Sequence, residues 1–506
     1  MQGLPGASVT VRSFRFAGNR LLTEVQLAPV VARFLNRPVG FNELQQAAAA
    51  IGDTYRAAGW IVRAYLPRQS ISDGVVTIQI VEAVFGKAVL DGGPLKRVNS
   101  ETITAMLGAA LVSGQPVDAE ALDRALLLID DLPGVAAQGS LQEGAAHGET
   151  DVVLKVLDEP LMEGEARLDN NGSRSTGAVR GVANLALNSP LKRGDQASLD
   201  FIHTEGSDYV RLGYLLPLGL AGWRVGAHAS HMDYRVITPE FAALDASGNS
   251  TTLGLDASYP LLRSRLANLY MNLGVERKRF DNQSAGTTTT RYGVDSLTLG
   301  LSGNRFDNLF GGGASSASLS LISGRVDLAG SPNAASDLAT VNTQGSYTRL
   351  SYAASRQQVL GSSLSLYAAV SGQLSNGNLD SGEKFYLGGP GGVRAYPASE
   401  AGGAEGQLAI LELRMKLPQN LALTGFYDWG RVKVNRDNGI AGAATLNRYG
   451  LKGAGLSLAW VAPTGTSLKA IWARRIGDNP NPTSSGLDQD GSKVLNRFWL
   501  AASQPF

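Results

Sequence analysis

Four histidines, His147, His203, His228 and His231, are the side chains best suited to metal binding or general base chemistry in this 506-residue chain. His228 and His231 lie three apart on a segment with strand character, so they face opposite sides and cannot share a metal. The chain has no cysteine, which excludes thiolate nucleophiles, disulfides and zinc–thiolate sites. The glycine-rich stretch KFYLGGPGGVRAYPASE, Lys384–Glu400, invites a phosphate-cradle reading. That cradle needs Gly-Lys-Ser/Thr at the start of a helix. Here Gly391 and Gly392 precede Val393 and Arg394, and nothing helical follows Pro397. No Gly-x-Ser-x-Gly turn joins a strand to a helix in a hydrolase context, and the acids are scattered. The chain is read as carrying no catalytic residue, no metal and no cofactor.

What remains is one arginine placed by a loop rich in glycine, and the elements that hold it. Lys+Arg is 45 and Asp+Glu 44, a net charge of +1, which argues against a nucleic-acid partner. Charged residues make up 18%, below the roughly 25% of soluble domains, and 61 residues are glycine. No apolar run of 18 or more residues exists, so no transmembrane helix is expected. No charged-then-apolar leader opens the chain, so the sequence is read as a mature or trimmed form.

Residues 8–159 alternate strand and helix periods. A strand is expected at Val9–Phe16, then a helix capped by Thr23 with Val25, Leu27, Val30, Val31 and Phe34 towards a core. A second helix opens at Asn42, and strands follow at Ile61–Leu66 and Val75–Val84. The same order recurs. A short strand at Lys87–Leu90 leads to helices capped by Ser100 and Asp118, and strands lie within 132–144 and 150–159. Two copies of a unit of about 75 residues form an internal repeat. Each is expected to be a small α/β module with a mixed sheet and two helices on one face.

From about Glu163 the helical period vanishes. In ANLYMNLGVE, Ala267, Leu269, Met271, Leu273 and Val275 share one face; in LELRMKL, Leu411, Leu413, Met415 and Leu417 oppose Glu412, Arg414 and Lys416. About 16 such segments of about ten residues or more follow, the length that crosses a bilayer at a tilt. A soluble sandwich also alternates, but its strands usually run to only about 5–6 residues. The fold class is therefore α+β modules followed by a 16-stranded antiparallel membrane β-barrel. Its last strand carries Phe498, Leu500 and Ala502 on one parity and ends on Phe506.

Inside a barrel the arginine acquires a purpose. The loop 376–403 can fold back into the lumen, its glycines allowing tight packing and positive φ. An arginine at membrane depth requires a counter-charge on the wall. In LALTGFYDWGRV, Leu421, Leu423, Tyr427 and Trp429 suit lipid, so Phe426, Asp428 and Gly430 point inward. Asp428 can take a bidentate pair from Arg394. Spacing alone leaves the alternative of an exposed loop arginine and an ordinary wall acid.

Val393, Arg394 and Tyr396 in the loop, with Phe426, Asp428 and Gly430 on the strand, resemble the paired V-R-G-Y and F-x-D-x-G signatures of the superfamily of transporters that join POTRA domains to a barrel. Ala395 stands where that family has glycine. The two N-terminal modules resemble POTRA domains, and a pair of them is the layout of the two-partner secretion branch. The resemblance implies a first POTRA domain at 8–84, a second at 85–159, and a barrel at 160–506. It implies that Arg394 and Asp428 form a lumenal ion pair anchoring the loop, with Gly388, Gly389, Gly391 and Gly392 shaping it. The N-terminal plug helix usual in the branch is missing, which implies truncation or processing.

It further implies an outer-membrane pore, with its modules in the periplasm, that moves a large unfolded exoprotein to the cell surface. The strand 135–141 and the helix 118–132, with Val135, Ala137, Leu141, Leu122 and Leu126, are the expected cargo-binding surface. Other implied partners are outer-membrane lipid and the barrel-assembly machinery, and the expected state is a monomer. An insertase of the same superfamily is the alternative, distinguished by more POTRA domains. A passive porin or receptor would lack the α/β repeat.

Overall fold

The computed structural model describes residues 8–71, 73–146 and 148–506; His147 lies outside them. Two compact units meet at Glu159 and Pro160 in the chain, apart from one short turn. In the N-terminal unit, each module has a three-stranded sheet of the same topology. In the first, Ser13–Ala17 runs parallel to the central strand Val75–Glu82, and Val62–Tyr65 pairs antiparallel on the other side. In the second, Val84–Asp91, Glu149–Asp158 and Val135–Glu143 take those three places.

The helix Phe41–Ala57 shows why these modules fold. Leu44, Ala47, Ala48, Ile51 and Tyr55 recur at helical spacing and are all buried against Val76, Ile78 and Ile80. The Tyr55 hydroxyl donates to Glu82 Oε1 at 2.8 Å, and burial pushes this phenol above its ordinary pKa. In the second module, Ile103, Leu107, Leu122, Ile129, Val152 and Leu154 form the equivalent core. Backbone bonds link the two modules: Val117 N–H to Ala83 O at 2.8 Å and Ala119 N–H to Gly59 O at 2.9 Å.

Three local expectations are corrected. Val9–Phe16 is two short strands, Ser8–Thr10 and Ser13–Ala17, because Arg12 and Ser13 both donate their N–H to Gly74 O. The second helix starts at Phe41, and the Glu43 carboxylate accepts from Gly40 N–H at 3.0 Å. The helix Ser100–Ala110 is capped by Asn99, whose side chain accepts from Glu101 N–H, and not by Ser100. Asp118 caps as expected, accepting from Glu120 and Ala121.

The second unit is a closed barrel of antiparallel strands. Strands β1 to β8 are Met162–Asp169, Arg180–Asn188, Gln196–Thr204, Ser207–Leu218, Trp223–Arg235, Ser247–Arg263, Ala267–Ser284 and Thr287–Asp307. Strands β9 to β16 are Gly313–Asp327, Gly345–Val359, Leu364–Ser375, Glu405–Leu417, Leu421–Lys433, Arg448–Val461, Ser467–Arg475 and Asn496–Pro505. Several are much longer than ten residues; β8 has 21. The barrel closes where β16 pairs with β1 over the short ladder from Ala501↔Asp169 to Pro505↔Glu165. Phe506 extends that closure through reciprocal backbone bonds with Gly164, both 3.0 Å.

Period two sorts the wall into two surfaces. Leu253, Leu273, Val275, Leu297, Leu299 and Leu319 are all exposed on the outer face, the arrangement lipid requires. His228 is buried on the inner face and His231 is exposed on the outer, as alternation demands. Single cysteines in this cysteine-free chain give a direct check. Thr298→Cys is expected to react with a hydrophilic maleimide in the folded barrel in membranes, whereas Leu297→Cys and Leu299→Cys stay protected until detergent is added. Equal reactivity across the three would remove the lipid-facing assignment.

Candidate functional site

Between β11 and β12 the chain turns into the barrel lumen. The segment closes on a two-residue ladder, Phe385↔Gly403 and Tyr386↔Gly402, and its far turn carries Arg394. The Arg394 side chain is buried. Its Nε donates to Asp428 Oδ2 at 2.9 Å and its Nη2 to Asp428 Oδ1 at 2.6 Å. The Arg394 backbone N–H adds a third bond to Asp428 Oδ2 at 3.0 Å. Asp428, on β13, is fully buried.

The sequence reading missed the second acid. Arg394 Nη1 donates to Glu412 Oε1 at 2.8 Å, and Arg414 Nε donates to Glu412 Oε2 at 2.7 Å. Two cations therefore meet two anions. Glu412 lies on the inward parity of β12, so alternation within LELRMKL carried the signal. The Arg394 guanidinium also stacks on Phe426, 3.4 Å from the ring centroid. Trp499 Nε1 on β16 donates to Arg394 O at 2.8 Å.

Three successive loop residues are matched to three successive strands. Asp428, Gly453 and Arg475 stand side by side on β13, β14 and β15. Arg394 takes Asp428. Ala395 sits over Gly453, where an added Cβ would lie 2.7 Å from the Ala395 methyl. Arg475 donates to Ala395 O at 3.3 Å and lies 4.4 Å from the Tyr396 ring centroid; its guanidinium also pairs with Asp488. The missing side chain at Gly453 thus makes room for the alanine that replaces the family's glycine.

The expected site residues come together, with one correction. Val393 and Tyr396 are buried in the same cluster as Phe426, with Leu387, Leu451 and Trp499. A Cβ on Gly430 would meet Leu387 Cδ2 at 2.5 Å. The four loop glycines divide: two serve the expected tight packing, and one the expected positive φ. Added Cβ atoms on Gly388 and Gly392 would meet Pro397 O at 2.2 Å and Leu387 O at 1.9 Å. Of the four, Gly389 alone has positive φ, +111°, and Gly391 faces open space. The left-handed strain falls on Ser399 and Ala401, with φ of 64° and 58°.

The correction concerns the expected cargo-binding surface. Val135 and Leu122 are buried in the core of the second module, and Ala137 and Leu126 pack against it. They form the inner stripe of an amphipathic helix and the root of a strand. Leu141 is the exposed member of the five, at 42%. What the strand Val135–Glu143 does offer is an edge. Among the described residues it pairs on one side, with Glu149–Asp158, and Gln138 to Glu143 are exposed.

A barrel with an arginine-pinned inward loop, preceded by two α/β modules, points to one family. The family profile described as haemolysin secretion/activation protein ShlB/FhaC/HecB matches residues 148–453. The chain belongs to this family. A POTRA domain of ShlB type matches residues 9–83. The chain is 26% identical to the heme/hemopexin transporter protein HuxB of Haemophilus influenzae over 96% of its own length and 85% of the relative's. It is 22% identical to the outer membrane transporter CdiB of Dickeya dadantii over 80% and 72% of the two chains. Among solved structures, CdiB from Escherichia coli aligns with 100% of this chain and 92% of its own, with a TM-score of 0.73 and 20% identity. BamA from Haemophilus ducreyi lacking POTRA domains 1–3 aligns with a TM-score of 0.61 and 15% identity, covering 99% and 100%. Those two structures share the fold. The protein is an outer-membrane transporter of two-partner secretion, with POTRA domains in the periplasm and a partner exoprotein as cargo.

The fit of Ala395 over Gly453 is testable. Gly453→Ala overpacks the contact and is expected to cost about 1–3 kcal/mol, read as a lower temperature for loss of the compact barrel's electrophoretic mobility. Ala395→Gly in the same chain should restore it. Failure of the rescue would show that the two residues do not share one packing site.

Proposed function

We propose that Arg394 and Asp428 hold the inward loop across the lumen and so set the cross-section open to an unfolded exoprotein. The observation that carries this is the burial of a bidentate, three-bond arginine–aspartate contact between loop and wall. A fully desolvated charge pair is a poor device for stability alone, since apolar residues of equal volume serve as well or better. It is a good device for fixing one geometry. The polar inner face lets an extended backbone pass while solvated, and folding outside biases the movement outward.

The proposed domains are a first POTRA at 8–84, a second at 85–159 and a barrel at 160–506. The free edge of Val135–Glu143 is the proposed capture site, adding the cargo as a further strand. Its exposed backbone, and not the buried apolar residues, supports this assignment. Surrounding lipid, the assembly machinery that inserts the barrel, and action as a monomer complete the proposal. Transport, and not catalysis, is its activity.

The test is secretion of the partner exoprotein by wild type, Arg394→Ala, Asp428→Ala and the double variant, with folded surface barrel held equal. Each single change is expected to reduce secretion, with the double no worse than either, because the pair acts as one unit. Normal secretion by both singles with an intact barrel would refute the role of the pair.

A further inference from the structure

The loop has a second anchor, of reversed polarity, on a different part of the wall. Glu383, on the stretch leading into the loop, is buried. Its carboxylate accepts from Lys278 Nζ on β7 at 3.1 Å and from Arg349 Nε on β10 at 3.0 Å. Arg349 also donates to Gln373 on β11, and Gln373 Nε2 donates to Glu383 O and Ala404 O at 2.9 and 3.2 Å. One glutamine thus bonds the start and the finish of the inward segment. Three residues earlier, both carboxylate oxygens of Asp380 accept from the Tyr292 hydroxyl on β8 at 3.1 Å. The segment therefore bridges the lumen, with its entry arm on the β7–β11 wall and its tip on the β12–β16 wall.

The two ends are unequal. The tip shares a cluster of thirteen buried apolar side chains with the wall, whereas Leu379 and Ala404 at the entry belong to one of seven. Tip contacts also include the backbone of Arg394 and of Ala395. At the entry arm the ion pairs hang on one side chain, Glu383, beside the Asp380–Tyr292 hydrogen bonds. Its two cations have other partners: Lys278 lies 3.4 Å from Glu276, and Arg349 donates to Ser351 and Gln373. Removing the Glu383 charge leaves Lys278 its second carboxylate and Arg349 two neutral acceptors, and both cations reach solvent, their side chains 23% and 21% exposed against 6% for Arg394, so the arm detaches at a smaller penalty than the tip.

We propose that Glu383, held by Lys278 and Arg349, is the releasable anchor of the loop, and that the entry arm leaves the β7–β11 wall while the Arg394 tip stays docked. Glu383 is a positioning residue. The opening this would give deepens the translocation reading, but the test reads loop position without cargo and so stands apart from it. Leu379→Cys marks the arm and Val393→Cys the tip, both at buried positions in a chain without cysteine. In folded barrel, Glu383→Gln is expected to raise the maleimide labelling rate of Leu379→Cys roughly tenfold or more, with Val393→Cys unchanged. Lys278→Met with Arg349→Met should do the same, and adding Glu383→Gln to that pair should add nothing. Single-channel conductance of each variant in planar bilayers should rise in step.

Unchanged labelling of Leu379→Cys in both backgrounds would overturn the anchor. Parallel rises at Leu379→Cys and Val393→Cys would overturn the pivot, since the loop would then leave as one body. Freed Leu379→Cys with unchanged conductance would overturn its part in opening the bore. If Glu383→Gln does not fold, the Lys278→Met and Arg349→Met pair decides by the same criteria.

Discussion

A guanidinium buried inside a barrel has to be neutralised where it lies, and that requirement organises the second unit. Arg394 has two acids within hydrogen-bond reach, and one of them is shared with a second arginine. Each charge has its counter-charge, so the desolvation that would otherwise expel the loop is offset on the spot. The wall strands are committed by this. Asp428 must point inward, which fixes the parity of β13, and register then fixes what stands beside it on β12 and β14. A one-residue slip of β13 would turn Asp428 to lipid and leave Arg394 with Glu412 alone, an acid it shares with Arg414.

The loop needs a second kind of constraint, which is space. Its backbone approaches itself and the wall so closely that side chains are excluded at several points. Gly388 and Gly392 admit the chain's own carbonyls, while Gly430 and Gly453 admit Leu387 and Ala395. Glycine here acts by absence. Positive φ, the commoner reason for glycine in a turn, accounts for Gly389 alone among the four in the loop.

What could be read from the sequence depended on periodicity. Strand parity placed Asp428, Phe426 and Gly430 on the inner wall, and it placed Leu273 and Val275 outside. Leu122 and Leu126, expected on a cargo-binding surface, turn instead to the core of the second module. The stripe containing Leu122 is the core side of an amphipathic helix, and a buried stripe and a binding stripe have the same spacing. Glu412 was visible as an inward residue but not as a partner, because a one-dimensional pattern gives parity and not register. Glu383 gave no signal at all. It lies in an aperiodic loop, and its cations are 105 and 34 residues away. Gly453 was equally silent, since its meaning comes from Ala395 on a distant segment.

Apolar packing and ion pairing divide the work between the two ends of the loop. Burying an apolar cluster stabilises in proportion to area and with little directional preference, so the larger cluster at the tip resists movement of any kind. A carboxylate between two cations is directional, and it can be exchanged for water once a path for solvent opens. A segment that must be both located and displaced is better served by unequal anchors than by two strong ones or two weak ones. With the tip immobile, displacement of the arm becomes a rotation about a fixed point. The strands β12 to β16, including the short β16–β1 closure, then keep the contacts made by Arg394, Ala395 and Tyr396 throughout. The part of the barrel with the shortest ladder is the part that the docked tip continues to brace.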